Sequence, residues 1–107
     1  MTSSERIAKK IADAAIRRAV GLSVTLDGLP DSIRGAAEKA VEELATSLVS
    51  LDDRGILRCS LCGKGPFTRK GLYLHIKRVH MDLVVSMAKK LFEEKIWSAK
   101  AEITLRT

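Results

Sequence analysis

Asparagine and glutamine are wholly absent from this 107-residue chain, which also holds only two prolines, two cysteines, two histidines and one tryptophan. A chain without the two side chains most prone to deamidation, yet rich in Lys, Arg and Glu, resembles hyperthermophile proteins in composition, and an archaeon or its virus is the source this implies. Scarce Pro and Gly beside 46% hydrophobic and 30% charged residues argue against a disordered tail and for a folded unit with a modest core. No apolar run reaches the roughly 18 residues that suggest a membrane span. The opening MTSSERIAKK also lacks the apolar centre of a secretory leader, so a cytoplasmic protein with no membrane partner is expected. Nucleophile spacings and a Gly-rich phosphate loop after a strand are missing too, so neither an enzyme nor a small-molecule substrate is expected.

What is present is charge, unevenly placed. The net charge of +6 lies in the second half: residues 1–50 carry seven basic and seven acidic side chains, residues 51–107 twelve and six. Between positions 54 and 80 stand Arg54, Arg58, Lys64, Arg69, Lys70, Lys77 and Arg78 with no acid among them. A polyanion is the natural partner of such a stretch.

Apolar periodicity predicts an amphipathic helix over 2–20, with Thr2 and Glu5 at capping-box spacing, Ile7, Ile11, Ala14, Ala15 and Ala19 inward, and Gly21 as its stop. After Pro30, Ile33, Ala37, Ala40, Val41, Leu44 and Leu48 mark a second helix. A third is expected from a cap at Asp82 to about Lys100, with Leu83, Val84, Met87, Leu91 and Phe92 on its apolar side. LSVTL (22–26) and EITLR (102–106) alternate like short strands that could pair with each other. LDDRG (51–55) reads as a polar connection.

Cys59, Cys62, His75 and His80 form the pattern Cys-x2-Cys-x12-His-x4-His. Two thiolates on a tight knuckle and two imidazoles on successive helical turns can enclose one Zn2+, and four ligands leave no open position, so the site is structural. A redox CxxC is the alternative, but both histidines of the chain fall in register and no βαβ pattern surrounds the pair.

Over about residues 57–80 the chain resembles a single C2H2-type zinc finger. Leu72 falls at the core-leucine position of that family, while Pro66 stands where its aromatic is usual, with Phe67 one place later and Leu57 before the first cysteine. The resemblance implies a small ββα finger, and with the helices that periodicity predicts on both sides of it the chain is expected to be mainly α. Its units are an N-terminal helical region (1–50), the finger (55–81) and a C-terminal helix and tail (82–107), forming one compact body. It puts Thr68, Gly71 and Leu74, with Lys70 nearby, at the base-contacting positions, and these are poor readers because none offers the bidentate bonds of Arg or Asn. Tyr73, Leu74 and Met81 are expected on the outer side of the finger helix, under the flanking helices or exposed for a protein or an RNA base. Leu72, His75, Ile76, Val79 and His80 are expected to face the metal and the hairpin. Arg58, Lys64, Arg69, Lys70, Lys77 and Arg78 are the candidate phosphate contacts. A small DNA-binding transcriptional regulator is therefore expected, dimeric through the flanking helices, with an RNA-binding or ribosome-associated protein and a protein-interaction module as the alternatives.

Overall fold

The first 50 residues form two helices because their apolar positions recur every three to four residues, and the second half adds two more around a short hairpin. A computed structural model describes the backbone of residues 3–106 and the side chains of residues 5–97. Its elements are α1 (Ser3–Val20), α2 (Asp31–Leu48), β1 (Val49–Leu51), β2 (Leu57–Cys59), α3 (Arg69–Val79) and α4 (Met81–Arg106). The fold is mainly helical with one small antiparallel sheet. The expected cap at Thr2 lies outside the described residues.

α1 is the centre of the packing. Ala8, Ile11, Ala12, Ala14, Ala15, Ile16 and Val20 are all buried, a face wider than one stripe, because α2, α4 and α3 each pack against this helix. Its alanines let neighbouring backbones come close, while Ile11 and Ile16 supply volume, each side chain contributing roughly 1.5–3 kcal/mol by leaving water. α2 answers with Ala37, Ala40, Val41, Leu44 and Leu48, all buried, and α4 with Val84 and Ala88.

α2 stops where Val49 turns extended (φ −135°), so the helix runs directly into β1. β1 pairs antiparallel with β2 in the register Val49↔Cys59, Ser50↔Arg58 and Leu51↔Leu57. The Asp52 carboxylate fixes the connecting turn by accepting from the Arg54 and Ile56 N–H groups at 2.8 and 2.9 Å, and Gly55 supplies the positive φ of 76° that other residues resist. LDDRG is thus a built hairpin turn. Phe67 joins from the other side, donating its N–H to the Leu57 carbonyl at 3.0 Å.

Four expectations are corrected. LSVTL is not a strand: Leu22, Val24 and Leu26 are half-buried and Ser23 and Thr25 exposed, so the alternation is real, but the segment packs on the helical core and enters no ladder. EITLR cannot be its partner, because α4 continues as helix to Arg106. Asp82 does not cap α4. The helix starts at Met81, with the Val84 N–H bonded to the His80 carbonyl at 3.0 Å, which leaves Asp82 in the first turn where its charge suits the helix dipole. Leu83, expected on the apolar side, is 49% exposed.

Candidate metal centre

Cys59 ends β2 and is buried. The chain then folds back tightly: the Gly63 N–H donates to the Cys59 carbonyl at 2.8 Å, and the Cys59 N–H to the Lys64 carbonyl at 2.9 Å. Gly63 takes φ +77°, so a side chain there would strain the knuckle. Burial pushes the Cys59 thiol up, against the opposing pull of the Leu61 and Cys62 N–H groups bonded to its sulfur. Those donors are suited to a thiolate, and a bound cation would stabilise that charged form much further.

α3 brings the imidazoles. Thr68 caps it, its hydroxyl accepting from the Gly71 N–H at 3.0 Å, and Leu72 and Ile76 seat the helix with no exposed surface. His75 projects one turn from His80, which closes α3 through its N–H to the Ile76 carbonyl at 2.8 Å and also opens α4. One ligand therefore occupies the joint between two helices. The two rings meet edge to face at 5.1 Å, and Phe67 stacks on His75 at 4.8 Å, so the aromatic displaced by one place still packs against the site.

The donor atoms of Cys59, Cys62, His75 and His80 all lie within 4.8 Å of one another, with Cys62 Sγ 3.4 Å from His75 Nε2. Tetrahedral arms of ~2.3 Å to sulfur and ~2.05 Å to nitrogen give an S···N edge of about 3.5 Å. His80 Nε2 is buried without a hydrogen-bond partner, an arrangement that costs about 1–3 kcal/mol unless something occupies the lone pair. His75 is held below the ordinary histidine pKa, first by burial and then by the charges of His80 and Lys64. It stays neutral, and so able to ligate, to lower pH than a solvated histidine. The four residues form a Cys2His2 group positioned to hold one metal ion.

α3 also meets α1. The Tyr73 hydroxyl donates to Asp13 Oδ1 at 2.5 Å, Lys77 Nζ lies 3.3 Å from the same oxygen, and Arg17 bonds Asp13 Oδ2 at 3.0 Å while its guanidinium sits 4.9 Å from the Tyr73 ring. Tyr73 and Met81 are half-buried, whereas Leu74 is 38% exposed, so the flanking helices cover two of the three outer apolar residues. Lys77 Nζ also stands over the Tyr73 ring, 5.3 Å from its centroid. Val79, expected toward the hairpin, is 63% exposed. Lys77, one of the candidate phosphate contacts, is paired with Asp13 in this arrangement. Among the described residues Arg58, Lys64, Arg69, Lys70 and Arg78 form no ion pair.

Burial alone would raise the Asp13 pKa, but hydrogen bonds from Tyr73, Arg17 and Lys77 outweigh it and hold the carboxyl below its ordinary value. A depressed folded pKa contributes stability above the unfolded value of about 3.9, lost as pH falls through the folded one. The protein is expected to lose stability below about pH 4, and Asp13→Asn to flatten that acid limb in denaturant melts across pH. Tyr73→Phe is expected to cost about 1 kcal/mol at neutral pH in the same melts.

Comparison with protein-family models, curated proteins and solved structures finds no match for this chain. Among the described residues no helix is long and apolar enough to cross a membrane.

Proposed function

We propose that the chain is a C2H2-type zinc-finger protein that binds nucleic acid, foremost a small cytoplasmic DNA-binding regulator of transcription. The donor set supports zinc, since two thiolates and two imidazoles within 4.8 Å of one another match the ligands of its structural sites. The observation that carries the polyanion reading is the set of five basic side chains with no acidic partner among the described residues, Arg58, Lys64, Arg69, Lys70 and Arg78, on and beside α3. Arg69 and Lys70 stand in the first turn of α3, which holds no acid, although cations at a helix N-terminus oppose its dipole. Phosphate groups would remove that conflict.

Base readout by α3 is weak. Thr68 spends its hydroxyl on the cap, Gly71 has no side chain, and Leu74 offers apolar contact alone. Specificity then rests on dimerisation, for which α4 offers exposed Leu83 and Trp97. The same weak readout favours the second reading, an RNA-binding or ribosome-associated protein that contacts phosphates.

Affinity for duplex DNA and for structured RNA, measured across a salt series, tests this. Five phosphate contacts give a slope of log K against log salt of about −4 to −5 on DNA, and Arg69→Ala or Arg78→Ala each reduces it by about 0.9. Lys77→Ala leaves the slope unchanged. Stronger binding to RNA selects the second reading, and no affinity for either polymer at low salt contradicts both.

A further inference from the structure

The outer face of α2 lies apart from the metal centre and from the basic residues of α3. Gly35, Glu38, Lys39 and Glu42 stand there at i, i+3, i+4 and i+7, all exposed, and line a groove of about 540 Å³. Val24 and Leu26, half-buried, and the buried Val41 give the groove its apolar lining, so LSVTL, which enters no sheet, supplies one wall. Gly35 is the unusual residue of this face. Glycine inside a helix is less stable than alanine, yet a Cβ at this position meets nothing within 4 Å among the described residues, so no packing within the chain calls for its absence. A bare position on an exposed helix admits a close neighbour from outside the chain.

The charges along the groove are of both signs. Arg18 pairs with Glu42, and Arg34 bonds the Leu29 carbonyl at 3.2 Å. Glu38 and Lys39 form no ion pair among the described residues, and as adjacent positions on a helix they do not face each other. Residues 1–50, to which this face belongs, carry as many acids as bases, so two copies can meet here without the repulsion that the basic second half imposes.

We propose that this face binds a second copy of the chain, α2 against α2, antiparallel about a twofold axis between positions 38 and 39. Such an axis maps position 38 onto 39 and 35 onto 42, so Glu38 meets Lys39 of the other copy twice, and Glu42 passes over the bare backbone of Gly35. The four positions are the corners of one hole of the kind that facing helices fill, centred on that axis. The apolar lining contributes burial, while the ion pairs, individually weak at an exposed site, set the register. This gives the dimerisation on which the DNA reading relies a surface on α2 rather than at Leu83 and Trp97 of α4, and its failure leaves phosphate binding itself untouched.

Sedimentation equilibrium of the full-length, zinc-loaded protein at low salt and without nucleic acid tests this. The parent is expected to show a concentration-dependent monomer–dimer equilibrium. Glu38→Lys and Lys39→Glu each set two like charges against each other across the axis, and each is expected to weaken the dimer by about tenfold or more. An equimolar mixture of the two variants restores opposite charges at both contacts, and so does the double variant, so both are expected to return to about the parent's dissociation constant. Gly35→Leu is expected to leave the circular dichroism spectrum unchanged, because its side chain enters open space, and to weaken the dimer by about tenfold or more. A parent that stays monomeric at its highest soluble concentration overturns the proposal. So does a dimer that either charge reversal leaves intact, that the mixture fails to restore, or that Leu83→Lys dissolves, since α4 then forms the interface.

Discussion

Chelating the metal is expected to melt residues 57–80 while much of the helical signal survives. The four donors come from the end of β2, the following knuckle, the middle of α3 and the α3/α4 joint, so no single local element holds them together without the ion. Without metal, His80 Nε2 is buried and unsatisfied, and burial favours the neutral Cys59 thiol over the thiolate that ligates. Binding free energies of structural zinc, about 10–16 kcal/mol in finger peptides, are comparable to the roughly 5–15 kcal/mol that holds a domain folded. α3 has 11 residues, the shortest of the helices and too short to persist alone in water. The packing of Ile11, Ile16, Leu44, Leu48, Val84 and Ala88 uses none of the ligands, so α1, α2 and most of α4 should remain helical. Far-UV circular dichroism with excess chelator should fall by about the α3 share, and amide exchange should accelerate in residues 57–80 and in β1, which loses its partner strand. An unchanged spectrum and exchange pattern would speak against a structural metal.

Leu72→Ala is expected to be among the most damaging single truncations outside the ligands. Leu72 has no exposed surface and belongs to the same core as the residues of α1 and α2, so its removal leaves a cavity where the hairpin, α3 and the helical layer meet. Buried Leu→Ala changes cost about 2–5 kcal/mol, and in a domain of this size each kcal/mol lowers Tm by roughly 4–8 °C. A Tm drop of about 10 °C or more is expected in the metal-loaded protein. Leu83→Ala, on an exposed position of α4, should stay within ~0.5 kcal/mol of the parent. Equal effects of the two changes would mean that α3 does not dock on the helical core.

How legible these features were in sequence depended on the range of the interactions behind them. α2 and the apolar positions of α1 followed from periodicity alone, and the four donor residues from spacing, because helix geometry and metal coordination impose local rules. LSVTL and EITLR show where local pattern stops. Both alternate, but a strand needs a partner, and the tail's five residues weigh less than the helix they continue. β1 was hidden for the opposite reason, since Val49, Ser50 and Leu51 look like the end of α2 until β2 lies alongside. Lys77 read as a free cation because Asp13, which neutralises it, lies 64 positions earlier in the chain. The same pairing with α1 hides Tyr73, and no pattern within the finger segment signals it. Phe67, one place from the aromatic position of the C2H2 fingers that this stretch resembles, nonetheless reaches the His75 ring because a short loop can shift register without losing an apolar contact.

The central claim is that Cys59, Cys62, His75 and His80 close around one metal ion. Titration of the metal-free protein with Co2+, followed by its visible and near-ultraviolet absorption, tests this most directly. One equivalent should produce the intense d–d bands of a tetrahedral site together with thiolate-to-metal charge transfer, and one equivalent of Zn2+ should abolish both. Weak octahedral bands, or a signal that keeps its strength in a Cys59→Ser, His80→Ala double variant, would contradict the claim.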